Sequence, residues 1–321
     1  MRYKPLAVIL LASALVVGLS TQLWAGNEKS WDDLNEVMVE QINQAKYTEA
    51  ISTAQQALTI ARESFGLEHM KTAISLQQLA NLYRKQQKED QADILTEEAL
   101  LIWDKTLGSE KELSFQMRIR FAHSLEDRGE YPKALAALTD LVREQEKYFG
   151  SSHTALASSL EFMADILWKQ EAFDKAFALQ ERSVQMYAEI LDAEDSRLIP
   201  AHQRLANRYF DQSLYGKALI QNKEVLNLAN QIYTKQDSRM AQYYLQIAEN
   251  HEKLYNYYPA EENFKLGLES LRGAYIEQTN ATTLGDLKYA LYRLKEFFIS
   301  RGRQTDADRY GREADELNVS L

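Results

Sequence analysis

The stretch from Leu79 to Gly108, LANLYRKQQKEDQADILTEEALLIWDKTLG, contains positions that recur along the chain every 42 residues. The clearest of these positions is Ala92. Alanines occupy the same place in the neighbouring units, at Ala50, Ala134, Ala176, Ala218 and Ala260. All five intervals are 42 residues, with no insertion or deletion, so the chain is an array of one repeated unit.

Other positions keep the same period, so the repeat does not depend on one common residue type. A second small position lies twelve residues before the first and holds Ala80, Ala122, Ala164, Ala206 and Ala248. An apolar position lies fifteen residues after the Ala92 position and holds Phe65, Leu107, Phe149, Leu191, Tyr233 and Tyr275. Chance would not align several positions in this way.

Each unit contains two helical stripes. The first stripe has the i, i+3, i+4, i+7 spacing of one helix face and consists of Leu76, Leu79, Ala80 and Tyr83. After the polar segment 86–90, a second stripe begins with Ala92, Leu95 and Ala99. Each unit is therefore predicted to be a helix hairpin. The alanines let two helix axes approach closely, and stacking on the next hairpin covers the remaining apolar face.

This pattern resembles the tetratricopeptide repeat, whose small-residue positions correspond here to Ala80, Ala92 and Ala99. The 42-residue length, with Phe65-Gly66 and Phe149-Gly150 between units, resembles the longer variant found in kinesin light chains. The resemblance implies an all-α fold, a right-handed superhelical solenoid of about seven stacked helix hairpins.

The period divides the chain into four parts. Residues 1–25 are predicted to be a signal peptide, and residues 26–272 an array of six 42-residue repeats. The next alanine of the series is Ala307, 47 residues after Ala260, so five residues have been added. We assign the addition to a connecting insertion, 273–286, followed by a C-terminal capping hairpin and tail, 287–321.

The N-terminus has the three-part plan of a secretory signal. Arg2 and Lys4 precede an apolar run from Leu6 to Leu19, and a polar segment ends at Ala25, the best cleavage residue. The run is shorter than the roughly 20 residues that span a bilayer as a helix. We expect a periplasmic or secreted protein. The alternative is an uncleaved segment that anchors the chain in the inner membrane.

Composition excludes several classes of function. The chain has no cysteine and a net charge of −10, which becomes −12 when Arg2 and Lys4 leave with the signal. Such an acidic chain is a poor partner for nucleic acid. We find no phosphate-binding loop, no nucleophile elbow and no metal-ligand spacing among the histidines, so the sequence predicts no enzyme, cofactor or metal site. His69 and His153 occupy matching inter-unit loops and are predicted to close turns.

A set of polar and aromatic residues lies one residue after the small position on the first helices, together with the positions four residues before and three residues after that one. In a stacked-hairpin superhelix these residues point into the concave groove. The candidate groove residues are Gln77, Asn81, Arg84, His123, Glu126, Glu161, Asp165, Trp168, Gln203, Asn207, Phe210, Glu249 and Glu252. By resemblance to tetratricopeptide domains, such positions contact an extended peptide. The alternative is that they are solvated residues in a groove that no ligand enters.

Two large aromatics, Trp168 and Phe210, occupy equivalent positions in adjacent units. We expect them to form an exposed apolar step, with Glu161 and Asp165 beside it, that suits an apolar side chain paired with a lysine or arginine. The leading interpretation is a non-catalytic scaffold that binds a protein or extended peptide in the cell envelope. The alternatives are a sensory or peptide-signal receptor and a signal-anchored membrane assembly factor.

Overall fold

The computed structural model describes residues 30–106, 111–235 and 237–317. The predicted signal peptide lies outside the described residues. Within them the secondary structure consists of fourteen helices and contains no strand. The predicted all-α solenoid of helix hairpins is confirmed. The chain packs as two compact units, and the boundary between Leu141 and Val142 lies within one helix.

The helices pair in chain order as seven hairpins of the described chain. The first unit contains α1 (30–43), α2 (Tyr47–Ser64), α3 (Met70–Lys85), α4 (Glu89–Thr106), α5 (Lys111–Asp127) and the start of α6 (Tyr131–Phe149). The second unit contains the end of α6 and then α7 (Thr154–Lys169), α8 (Phe173–Ile190), α9 (Leu198–Asp211), α10 (Tyr215–Ile232), α11 (Ser238–Lys253), α12 (Tyr257–Glu277), α13 (Ala281–Ile299) and α14 (Gln304–Glu316). We call the odd-numbered helices first helices and the even-numbered ones second helices.

The predicted helix contacts are present at both small positions. Every alanine of the Ala80 and Ala92 series is 0% exposed. Within each unit, hairpin partners such as α3 and α4, or α11 and α12, pack against each other, and second helices pack on the next first helix, as α10 does on α11. Small side chains permit this close approach, so the core is one repeated contact.

The predicted role of His69 and His153 is also confirmed. Each histidine is the N-cap of a first helix, and its Nδ1 accepts a hydrogen bond of 3.1 Å from the backbone N–H two residues later. Each ring stacks on the aromatic residue four positions earlier, Phe65 or Phe149. The side chain therefore satisfies a free donor of the helix end and packs the turn at the same time.

The five added residues lengthen helices rather than a loop. α12 continues to Glu277, and α13 begins at Ala281, so most of the predicted connecting insertion, 273–286, is helical. Asn280 and Thr283 form a capping box, in which each side chain bonds the other residue's backbone N–H. This reciprocal cap fixes the start of α13 directly after the longer α12. No helix of the described chain is long and apolar enough to cross a membrane.

The turn inside each hairpin has one residue in the left-handed region, and this residue also recurs every 42 residues. Its φ lies between +56° and +75° at Ala45, Gln87, Gly129, Glu171, Ser213, Tyr255 and Gly302. The last interval is 47 residues because of the same five additions. Only glycine adopts this conformation without cost, and a side chain there costs roughly 1–2 kcal/mol. Five of the seven turns carry that strain.

This strain predicts opposite effects at two equivalent turns. Gly129→Ala should lower the free energy of unfolding by about 1 kcal/mol, because an added Cβ meets no atom within 4 Å and only the backbone conformation is penalised. Gln87→Gly should raise it by a few tenths to about 1 kcal/mol. Urea unfolding followed by circular dichroism measures both. Gln87→Ala is the control and should bring no gain. Equal stability of all variants would contradict the assignment of strain.

Candidate groove on the first helices

The predicted groove residues lie together on each first helix. On α3, Gln77 Nε2 donates to Asn81 Oδ1 at 3.0 Å, and Arg84 Nη1 donates to the same oxygen at 3.3 Å. On α5, His123 Nδ1 lies 3.2 Å from Glu126 Oε2. These contacts follow from the helical spacing of three and four residues. On α9, Gln203 and Asn207 share the corresponding face.

A cavity of about 260 Å³ lies between α3 and α5, and α4 forms its floor. Gln77, Asn81 and Arg84 line one wall, and Arg120 lies on the opposite wall. The described residues that line it include two arginines and no carboxylate. This basic cavity is unexpected in a chain with a net charge of −10.

The two arginines of this cavity are held differently. Arg84 donates to Thr96 Oγ1 at 2.9 Å and lies 3.5 Å from Asp93 Oδ1, so the chain itself fixes its position. Arg120 is exposed and has no ion pair with the described residues. The buried part of the cavity lining includes two apolar rings, Trp103 of α4 and Phe121 of α5. Together these groups offer a cationic rim above an apolar base.

The predicted acidic neighbours of Trp168 are not free to meet a partner's basic residue. Arg208 on α9 pairs with Asp165, and Arg204 lies 3.8 Å from Glu161 and 3.5 Å from Asp165. Burial raises the pKa of the Glu161 carboxyl, while Arg204 and a 3.0 Å hydrogen bond from Gln180 oppose that rise. The carboxylates of α7 are therefore neutralised by the next first helix. The expectation that Glu161 and Asp165 would meet a lysine or arginine of a partner is therefore wrong, because Arg204 and Arg208 of the chain itself pair with them.

The same pairing of groove carboxylates with arginines that follow in the chain recurs between α11 and α13. Arg293 lies 3.4 Å from Glu249 and 3.5 Å from Glu252, and Arg301 lies 3.4 Å from Glu252. Burial raises the pKa of the Glu249 carboxyl, and Arg293 opposes the rise. Arg204 and Arg293 occupy the same repeat position once the five added residues are counted. Arg120 occupies that position in α5, where α3 presents Asn81 in place of an acid.

Trp168 and Phe210 are half-buried rather than exposed. Trp168 packs edge-on against Phe173 and Phe177 of α8, with ring centroids 4.7 and 5.7 Å apart. Phe210 packs edge-on against Tyr215 of α10 at 5.2 Å. Each ring therefore packs against the second helix of its own hairpin. The two rings do not form the exposed apolar step that was predicted for the groove wall.

Sequence reasoning missed a second cavity, of about 420 Å³, between α11 and α13. Glu249 lines it, as predicted for a groove residue, but so do Gln246, Leu271, Asp286 and Tyr289. The contribution of α13 was not recognised because the 42-residue period slips before this helix. The two cavities use the same repeat positions, since Leu245, Glu249 and Leu271 stand four repeats after Gln77, Asn81 and Trp103.

The family model for the tetratricopeptide repeat matches residues 37–105 and 113–189. These residues are tetratricopeptide repeats. No curated protein matches the sequence. Among the described residues, no three His, Asp or Glu side chains are grouped so that they could hold a metal ion.

Solved structures agree on the fold of the tetratricopeptide array. One is a point variant of the nearly identical TPR-like repeats from Podosopora anserina, described as a kinesin light chain, with 14% identity and a TM-score of 0.51 over 63% of this chain and 93% of that one. Another is BtubC (BKLC) from P. vanneervenii, with 14% identity and a TM-score of 0.50 over 76% of this chain and 94% of that one. At this identity the likeness shows the fold alone.

The packing of Trp168 and Phe210 predicts a stability defect. Trp168→Ala and Phe210→Ala should each lower the free energy of unfolding by about 2–3 kcal/mol, less than for a fully buried aromatic. Tyr258→Ala is the control, because this tyrosine is 81% exposed, and it should stay within about 0.5 kcal/mol of the parent. Urea unfolding measures all three. Parent-like stability of the first two variants would show that the rings are free for a partner.

Proposed function

We propose that this tetratricopeptide array is a non-catalytic scaffold that holds an extended segment of a partner protein in the grooves between successive first helices. The fold is one that serves protein interaction, which supports the class of function. The groove carboxylates support binding rather than catalysis, because Arg204, Arg208 and Arg293 pair with them. A carboxylate held in this way is poorly placed to move a proton.

The main support for this proposal is that Arg120 is exposed and lines the α3–α5 cavity without an ion pair to the described residues. Arginines at its repeat position are neutralised by acids of the preceding first helix in α9 and α13, whereas Arg120 faces Gln77 and Asn81 across the α3–α5 cavity. An exposed guanidinium above Trp103 and Phe121 suits an acidic group next to an apolar side chain. Asn81 is exposed beside it and can bond a peptide backbone. We therefore propose that the partner segment is acidic where it enters this cavity.

A charge reversal in the cavity tests the binding role. Arg120→Glu should reduce capture of the partner by about tenfold or more, because it replaces an attraction by a repulsion of like charges. Lys46→Glu is the matched control, since Lys46 is an exposed cation in the α1–α2 turn and outside the cavity. Capture from envelope extract, quantified by mass spectrometry, measures both variants.

A photo-crosslinking residue that replaces Met117, which lines the cavity, shows whether the partner contacts the chain at this position. The same residue at Gln91, exposed on α4, is the reference. Cross-links to one partner peptide from Met117 and none from Gln91 would support the groove. If Arg120→Glu captured the partner as well as the parent does, and cross-links formed only from Gln91, the binding surface would lie on the second helices instead of the groove.

We also propose that the scaffold works in the cell envelope. The basic residues, apolar run and small residue of positions 1–25 support export. Fractionation should find a chain that begins at Gly26 in the periplasm or medium, as read by N-terminal sequencing. A full-length chain in washed membranes would favour the anchored alternative, and a full-length chain in the cytoplasm would contradict export.

A further inference from the structure

The α11–α13 cavity combines an apolar base with an acidic rim. Ala241 and Leu271, 1% and 3% exposed, form part of its base, and Leu245 covers one side. Gly267 makes room for Leu245, because a Cβ on this glycine would lie only 3.0 Å from the leucine Cγ. The helices thus keep a preformed apolar slot. Its volume of about 420 Å³ is large enough for a long side chain.

The charges around this cavity do not balance. Glu249 and Asp286 both line it, and Asp286 is exposed with no ion pair to the described residues. Arg239 also lines it, but its guanidinium is held by Asp237 at 2.6 Å and stacks 3.7 Å from the Tyr233 ring centroid. The remaining charge on the rim is therefore negative.

Among the described residues, the arginine that reaches Glu249 is shared with other acids. Arg293 lies within 3.5 Å of Glu249, Glu252 and Glu296, and Arg301 lies 3.4 Å from Glu252, so two positive charges serve three carboxylates. A second cation near Glu249 would reduce this excess of negative charge. A cation that arrived from outside would meet Asp286 at the opposite wall.

Two further groups suit a cation. The Tyr289 ring, 54% exposed, lies on the cavity wall and can attract a positive charge to its face. Gln246 lines the cavity, and its buried Oε1 has no hydrogen-bond partner within the described chain. This amide oxygen can accept a hydrogen bond from an N–H group of a ligand, so it also favours a ligand that carries such a donor.

We infer that the α11–α13 cavity binds a lysine side chain of the partner segment, with the aliphatic stem on Leu245 and Leu271 and the ammonium between Glu249 and Asp286. This inference rests on the proposed scaffold function and specifies the chemistry of one of its subsites. The apolar base and the separated acids fit a lysine, which has a long apolar stem and a compact charge. An acidic side chain would be repelled from the same rim.

The test uses two acetylated, amidated pentapeptides that have leucines on either side of a central lysine or norleucine. The norleucine peptide has nearly the same apolar stem without the charge. With the whole chain in low salt, the lysine peptide should bind about tenfold more tightly, the factor expected for one charge-assisted hydrogen bond. Isothermal titration measures the affinities, and amide shifts of 15N-labelled α11 and α13 locate the peptide.

Charge-neutral variants connect the preference to the named acids. Glu249→Gln and Asp286→Asn should each remove most of the tenfold preference, and Asp286→Asn cannot disturb the core because the residue is exposed. Glu269→Gln is the matched control, since it removes an exposed acid of α12 that does not line the cavity. A preference that survives both cavity variants, or that Glu269→Gln removes equally, would overturn the inference.

A blocking variant separates the inference from the proposed function. Gln242→Trp should fill the cavity from its exposed rim and abolish binding of the lysine peptide. Equal binding of both peptides that is lost in Gln242→Trp would overturn the lysine assignment and leave the groove as a peptide site. If neither peptide bound and Arg120→Glu also left partner capture unchanged, the scaffold function itself would be contradicted.

Discussion

The close contact between helices at the two alanine positions is the constraint on which the rest of the structure depends. At the alanines of the Ala80 and Ala92 series no side-chain surface remains exposed, so the separation of the helix axes there is set by a methyl group. A fixed separation, with a 42-residue period that is unbroken from Ala50 to Ala260, makes these hairpins repeat the same positions. The groove positions recur because the contact positions recur.

The two ends of the array depart from this contact in compensated ways. Met38 takes the place of the Ala80 residue in the first hairpin and is 2% exposed, so the larger side chain is accommodated in the core. Lys295 takes that place in the last hairpin. A Cβ on Gly311 would lie 3.3 Å from the Lys295 side chain, so the loss of a side chain on α14 offsets the gain on α13. An added side chain on Gly311 would crowd this contact, and overpacking of a close contact destabilises it.

The architecture could be predicted from the sequence because it depends on local and periodic signals. Ala92, the helical stripes and the capping histidines all act within one unit or between adjacent units at a constant spacing. The pairing of the groove carboxylates could not be predicted in the same way. Its arginine position holds Gln78, Arg120, Phe162, Arg204 and Gln246 in successive repeats, so no periodic signal marks it. The strained turns at Gln87 and Tyr255 were missed for a related reason, since only Gly129 and Gly302 carry the residue type that such a turn favours.

Because the backbone repeats while the side chains at the groove positions do not, cavities at equivalent places in the array can carry opposite charges. The α3–α5 and α11–α13 cavities share their repeat positions, yet Gln77 and Asn81 in one correspond to Leu245 and Glu249 in the other. In the first cavity an amide leaves the arginine of the next helix exposed, and in the second an acid binds it and retains an excess of negative charge. Most of the contact positions hold alanine, which lets the hairpins stack closely. The groove positions carry no such restriction, so they are free to determine which charge each cavity accepts.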